Sequence, residues 1–486
     1  MALSAPVRPR HVLVVARWYP SHDVPARGTF VADLVAALVD QGLRVSVASF
    51  ETVQPATADP VAVESLAAVE AAWAAAVRRP EALSRPRSWG VAGVPVARLP
   101  AVRTWVRGER IDVAEQAARH AGPLLAFGRA LADRDPFDLI HAHTGLPDGL
   151  ASAELADALR LPLLVTEHDS TLLRRLDQDP VALSHYRRLL GGRRRVVAVS
   201  EALATGLGAR LDLEAPPDVL PNALPTGIFR PGPRQARDPD ELLWVGARVS
   251  HKGTDRLLRA FALARRERPG LRLRAIGPSP GGDESWLALA EELGVRDAVS
   301  FEPAADRQAV AAAMRRAGLL VHPSPAETFG MVAAEALASG LPVAATPSGG
   351  VEGIIGRDGR AGELAAGMAP EALAQAILRA LARRPSFDPQ DLHDRVAQAF
   401  GPQVVATRVM AAYDALLEAG SLEAGRAAPP SLRASTPGSA PASPRPTTST
   451  TKSGDRERVL IVARGASAAQ RLARLPAVVG PAVSIL

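Results

Sequence analysis

Two glutamates eight residues apart, Glu327 and Glu335, carry the strongest chemical signal in the chain, within AETFGMVAAEALASGLPVAAT at 326–346. The stretch reads as a strand (GLLVHP, 318–323), a loop holding Glu327 and a helix holding Glu335. Phe329, Gly330 and Met331 fall near the helix start, where unpaired N–H groups and the helix dipole favour an anion such as a diphosphate. Gly330 has no side chain, so a ligand can approach its backbone. Glu335 lies farther along the helix among Met331, Val332, Ala334, Leu337 and Ala338, and its two acceptor oxygens suit paired ribose hydroxyls. Glu327, ahead of the helix, can accept hydrogen bonds from sugar hydroxyls.

A second strand–loop–helix unit, LLWVGARVSHKGTDRLLRAFA at 242–262, carries Arg248 and Lys252 in its loop. A cation there would neutralise a departing phosphate. Most loop lysines are simply solvated. Yet of 57 basic residues only Lys252 and Lys452 are lysines. In a chain that uses arginine almost everywhere else, Lys252 reads as a position that wants a compact ammonium.

Histidines end two further strands. His141 and His143 in LIHAH (139–143) share one strand face by their spacing, and His168 closes PLLVTEH (162–168). That spacing is compatible with metal ligation, but no third ligand is in view, and neither a metal nor a bound cofactor is expected. Cleft histidines bonded to a sugar or a carboxylate are the preferred reading, with His141 equally readable as a satisfied core residue. Gly28 lies at the end of the loop after the first strand. Ser348, Gly349 and Gly350 precede another helix start and offer a phosphate cradle or an ordinary turn. YRRLLGGRRR at 186–195 is either a solvated arginine face or a dock for anionic lipid headgroups.

The elements that must position these residues alternate regularly. VLVVA (12–16), a turn-rich loop, an amphipathic helix from Thr29 and a strand at 45–49 form a βαβ unit, with Phe30, Val31, Leu34, Leu38 and Val39 on the helix stripe. Strands at 139–143, 162–168 and 196–200 continue it. A linker rich in proline, glycine and charge follows at 220–240. Beyond it come strands at 241–246, 271–277, 298–302, 318–323 and 342–346, again separated by helices. Two parallel α/β halves joined this way enclose a cleft, and ligands in such sheets lie outside the carboxyl ends of the strands. The Ala-rich insertion at 55–88 has no clear place in this order. Residues 424–457 lack a hydrophobic period and are expected to be disordered. RVLIVARG beyond them is either the opening strand of a further domain or an adventitious apolar patch.

Together these motifs resemble the family 4 glycosyltransferases, retaining enzymes of the GT-B fold. The resemblance spans residues 11–418 and is carried by WYP…GTFVADLVAAL, DLIHAHTGLPDG, VTEH, VVAVSEAL, VLPN, the VG…KG loop and, most specifically, ETFGMVAAEALASGLPVAAT. It implies an α/β architecture of two Rossmann-like domains facing each other across a cleft. The acceptor-binding domain would cover 1–224, completed by a crossover helix at 400–420, and the nucleotide-sugar-binding domain 235–398, leaving a tail at 421–486. The implied reaction moves a hexosyl group from a UDP- or GDP-sugar to a saccharide or lipid-linked acceptor, with retention and without a metal, in polysaccharide or glycolipid biosynthesis. On that reading Glu335 binds the ribose, Lys252 the diphosphate, and Glu327 the donor sugar together with the backbone of Phe329, Gly330 and Met331. His168 would sit beside the sugar, Gly28 near the phosphates and acceptor, and His141 and His143 on the acceptor side.

Three positions depart from the family pattern. Ala247 stands where an arginine is usual, and Arg248 substitutes for it only if the loop is re-formed, because neighbouring strand residues point to opposite sides. Ala223 follows Asn222 in place of glycine, and Gly353 occupies a common glutamate position with Glu352 one residue early.

Composition narrows the remaining classes. The chain has 486 residues, 47% of them hydrophobic, which is enough for two or more cores. The absence of cysteine excludes disulfides and thiolate metal sites. A net charge of +6 built almost wholly from arginine does not call for a nucleic-acid partner. No apolar stretch reaches about eighteen residues, so a soluble cytoplasmic protein is expected, with peripheral membrane contact as its one lipid option. Two readings stand beside transfer: epimerisation or hydrolysis of a nucleotide sugar, and a nucleotide-sugar binder without turnover, the latter prompted by the absent arginine.

Overall fold

Short runs rich in valine, leucine and alanine build the first sheet from β1 (His11–Val15), β2 (Arg44–Val53), β3 (Val96–Val102), β4 (Leu139–His143), β5 (Leu163–Glu167) and β6 (Arg194–Ala198). The computed structural model describes residues 11–21, 26–53, 91, 93–102, 113–232, 237–426, 459–461 and 483–485. The insertion at 55–88 and residues 427–457 of the tail expected to be disordered lie outside them. Every residue of β1, β4 and β5 is buried, as parallel strands covered by helices on both faces must be. The strands run parallel in the order β3-β2-β1-β4-β5-β6.

The second sheet comprises β7 (Glu241–Val245), β8 (Arg272–Ile276), β9 (Val299–Glu302), β10 (Leu319–His322), β11 (Val343–Ala345) and β12 (Gly362–Leu364), in the order β12-β11-β10-β7-β8-β9. The two sheets thus share one plan. Each reverses its strand order between two central neighbours, β1 and β4 in the first and β7 and β10 in the second. Such a reversal opens the crevice where parallel sheets bind ligands.

Two edge strands escaped the periodicity. β3 contains Pro100, which only an edge position tolerates, and β12 is three residues long. The segment at 220–240 is not a solvated linker throughout: Leu220, Ala223, Leu224 and Phe229 are buried. The Leu224 N–H donates to the Phe400 carbonyl at 2.8 Å, where the chain returns toward the first half. Helix Pro402–Arg426 then packs Val405, Val409 and Tyr413 against Val31, Leu34 and Leu38 of helix Thr29–Asp40 in one buried cluster. The apolar segment near the end of the chain forms a strand, Val459–Ile461, parallel to Val483–Ile485. Among the described residues no helix is long and apolar enough to cross a membrane.

Candidate active site

A cavity of about 360 Å³ lies between the halves, lined by Trp18, Phe30 and His168 from the first and by Lys252, His322 and Glu327 from the second, among others. These residues follow or end β1, β5, β7 and β10, so both crevices open into it. Lys252 Nζ donates to Glu327 Oε1 at 2.8 Å. Gly253 makes that approach possible: its φ is +79°, and a Cβ there would lie 2.3 Å from the Pro323 carbonyl oxygen. Behind Glu327, its N–H donates to Ser348 O and its carbonyl accepts from the Gly350 N–H, both at 2.8 Å. Burial works to raise the Glu327 pKa, but Lys252, His322 and hydrogen bonds from Lys252 and Ser324 outweigh it and hold the carboxyl below its ordinary value. Phe329, Gly330, Met331 and Val332 line the cavity at the start of helix Met331–Ala338, where the Met331 and Val332 N–H groups precede any intrahelical acceptor and the Ala333 N–H donates to the Gly330 carbonyl at 3.0 Å.

His168 enters from the opposite wall. Its Nε2 shares a hydrogen bond of 2.9 Å with His143 Nδ1, its ring packs 4.7 Å from that of Phe30, and its carbonyl accepts from Thr328 Oγ1 at 3.0 Å across the cleft. Burial depresses His143 to about 3 and His168 well below 6.5, so both rings are neutral. The buried Nδ1 of His168 has no hydrogen-bond partner. Glu335 lies one turn beyond Met331 on the same helix face. Burial raises its pKa to about 7, with Arg307 pulling it down and Asp33 pushing it up. Arg307 Nη2 stands 3.8 Å from Glu335 Oε1, and the guanidinium grips Asp33 of the first half at 2.8 and 2.9 Å.

Residues 116–227 match the family described as Glycosyltransferase Family 4, and residues 228–399 match Glycosyl transferases group 1. A D-inositol 3-phosphate glycosyltransferase of Segniliparus rotundus is 32% identical over 310 residues, covering 60% of this chain and 68% of the relative. One from Frankia alni is 33% identical over 316 residues, covering 59% and 76%. The chain belongs to the family 4 glycosyltransferases. Among solved structures, sucrose-phosphate synthase from Thermosynechococcus elongatus matches with a TM-score of 0.63 at 21% identity, covering 84% of this chain and 100% of that one. Anabaena Alr3699/HepE, in complex with UDP and glucose, matches with a TM-score of 0.57 at 17% identity, covering 83% and 99%. At these identities the likeness speaks for the fold, the GT-B pair of facing Rossmann-like sheets.

Of the residues singled out in this glycosyltransferase, His168, Lys252, Glu327, Phe329, Gly330 and Met331 line one cavity, and Glu335 lies deeper on the same helix. Gly28 does not line it. Gly28 instead caps helix Thr29–Asp40 two residues before Phe30, at φ +65°, where a Cβ would lie 2.0 Å from the Trp18 carbonyl oxygen. Arg248 is not brought to the cavity either. It is only 4% exposed, its Nε and Nη2 donate to Asp283 at 2.6 and 3.1 Å, and its Nη1 donates to Glu302 O at 2.8 Å. The loop has not re-formed to replace the missing family arginine.

His141 proves to be the satisfied core residue. Its Nδ1 meets the Tyr413 hydroxyl at 2.7 Å and its Nε2 the Thr166 hydroxyl at 2.8 Å, so neither nitrogen is left for an acceptor. His143 is fully enclosed and reaches the cavity only through His168. The Gly349 N–H donates to Glu352 Oε2 at 2.7 Å and the Gly350 N–H to Glu327, so this turn braces Glu327 instead of cradling phosphate. In the 186–195 stretch, Arg187, Arg194 and Arg195 pair with Asp212, Asp157 and Asp218, and Leu189 is buried in the core. Among the described residues no group of three or more His, Asp or Glu is arranged to hold a metal ion.

Sequence reasoning missed Asp33, Thr328 and Arg307, and it placed Phe30 on a core stripe. Arg307 did leave a trace. It opens helix Arg307–Arg316 directly after the capping Asp306, where the dipole disfavours a cation. In so arginine-rich a chain that trace is easily lost.

Proposed function

We propose that the cleft holds a nucleoside-diphosphate hexose, UDP- or GDP-linked, and transfers its hexosyl group to a hydroxyl of a saccharide, cyclitol or lipid-linked acceptor with retention of anomeric configuration. The observation that carries this reading is the Lys252 ammonium, fixed 2.8 Å from Glu327 beside the open start of helix Met331–Ala338. Departing diphosphate charge would meet a cation and unpaired N–H groups already in place, which is how a rigid site lowers a barrier without reorganising. Lys252 has three donors, so it can turn to a phosphate oxygen without releasing Glu327. Glu327 and the backbone of Phe329 and Gly330 would then take hydroxyls of the donor sugar, and Glu335 those of the ribose. Neutral His168, beside the sugar, can accept or donate through its unpartnered Nδ1. Support for the donor class comes from the HepE neighbour, solved with UDP-glucose, and for a polyol acceptor from the names of the inositol-phosphate relatives.

The test is thermal denaturation across UDP-, GDP- and ADP-hexoses, followed by product analysis with labelled donor. A true donor at about a hundred times its Kd should add about 2.7 kcal/mol of apparent stability. No shift with any of them, or an epimer formed rapidly without acceptor, would overturn the proposal.

A further inference from the structure

Arg307 stands where three parts of the molecule meet. From helix Arg307–Arg316 of the second half, its Nη1 and Nη2 donate to Asp33 Oδ1 and Oδ2 at 2.8 and 2.9 Å, and Asp33 belongs to helix Thr29–Asp40 of the first half. The same Nη2 lies 3.8 Å from Glu335 Oε1. Its Cζ sits 5.5 Å from the ring centroid of Phe229, a buried residue of the segment joining the halves. The side chains of Asp33 and Glu335 are 14% and 13% exposed, so these charges act on one another with little solvent between them. Two carboxylates, one from each half, therefore compete for one guanidinium.

We propose that Arg307 is a positioning residue for Glu335, set by Asp33 from across the cleft. With the halves together, Asp33 holds the guanidinium fork in bidentate geometry and leaves the Glu335 oxygens to accept from vicinal hydroxyls. Without the Asp33 charge, the fork turns onto Glu335 and occupies those oxygens. The donor's nucleoside is then held well only in the assembled cleft. This inference rests on Glu335 being the ribose acceptor.

The experiment measures binding of UDP and GDP to the full chain by calorimetry, in wild type, Asp33→Asn, Asp33→Glu, Glu335→Gln and the Asp33→Asn/Glu335→Gln double variant. Asp33→Asn keeps the shape of the side chain and should weaken binding of the preferred nucleotide about tenfold, while Asp33→Glu retains most of the affinity. In the Glu335→Gln background the same Asp33→Asn change should cost less than about twofold, because no carboxylate remains for Arg307 to turn onto. Equal losses in the two backgrounds, or a lowered Tm with unchanged affinity, would make the contact simple glue between the halves and overturn the inference. Weakened binding in Glu335→Gln with none in Asp33→Asn would overturn it while leaving the ribose reading intact. A silent Glu335→Gln, or a wild type that binds neither nucleotide, would overturn both.

Discussion

Lowering the pH from 6 to 5 should cost this glycosyltransferase stability through three buried histidines, and their surroundings set the size of the loss. His141 is bonded through both ring nitrogens, and His143 and His168 share a hydrogen bond. Burial, reinforced for His141 and His168 by neighbouring imidazoles, holds His143 down to about 3 and the other two well below the ordinary 6.5. Well above pH 6.5 these rings are neutral in both the folded and the unfolded chain and contribute nothing. As pH falls through 6.5 the unfolded chain gains a proton on each ring that the folded chain refuses, so stability drops. Each proton that the folded chain refuses is worth about 1.4 kcal/mol per pH unit while the refusal lasts. A fourth histidine, His322, is also held below its ordinary value by burial and adds to the loss, while three carboxyls act the other way. Glu335, raised by burial to about 7, and Glu167, fully buried and also raised, retain protons in the folded chain at pH values where the unfolded chain has released them. Asp33, likewise raised by burial against the pull of Arg307, acts with them, so each carboxyl offsets up to one proton, and four histidines against three carboxyls leave a net loss on acidification. Glu335→Gln should steepen the profile by about 1.4 kcal/mol per unit, and His141→Gln should flatten it. Urea unfolding followed by circular dichroism at pH 7.5, 6 and 5 measures this directly. Stability that holds or rises between pH 6 and 5, or a Glu335→Gln profile parallel to wild type, would refute the reasoning.

Other consequences are equally concrete. Lys252→Ala should lower kcat by about a hundred- to a thousandfold, the usual cost of losing a fixed group that meets developing charge; its urea midpoint should stay near wild type, since the side chain is 38% exposed. Full turnover in Lys252→Arg would show that any cation suffices there. Tyr413→Phe strands the Nδ1 of His141 against an apolar ring, so urea unfolding should report a loss of about 1–3 kcal/mol. Arg248→Met should cost about 1–3 kcal/mol of stability, discounted for the partly exposed Asp283, with donor KM unchanged within about threefold. A large rise in KM would return Arg248 to the site. Gly253→Ala forces a side chain into a left-handed backbone against Pro323 O, so more than about 1 kcal/mol of stability should go, and transfer with it as the Lys252 loop lifts away from Glu327.

Most of the scaffold was legible because buried parallel strands write themselves as short apolar runs. LIHAH corresponds to β4 residue for residue, and ELLWVG overruns β7 only by Gly246. The same logic failed at β3, where Pro100 breaks the run yet survives at an edge. At Phe30, which does pack against the core cluster, it told only half. Periodicity reports which face of a helix is apolar but not what covers it, and here the covering group is the His168 ring across a cleft wall. Lys252 and Glu327 stood out because each follows a strand in its own local unit. Their bond, over 75 residues of chain, did not. Asp33 and Arg307 were harder still: they lie 274 residues apart, in different halves, and neither breaks a pattern strongly enough to be noticed alone.

The division between arginine and lysine has a physical basis in this molecule. Arg248 meets Asp283, Arg265 meets Asp297, Arg274 meets Glu302 and Arg307 meets Asp33, each through a planar fork matched to a carboxylate. A fork held this way is a poor choice for a group that must change partners, because releasing one oxygen tilts the plane away from the other. The Lys252 ammonium has no plane to tilt. On the proposed mechanism it would keep one donor on Glu327 while another followed a phosphate oxygen as charge built on it. A chain that could have encoded arginine at residue 252, as it does at 55 of its other 56 basic positions, carries instead the one cation whose geometry would survive the exchange that the proposed transfer requires.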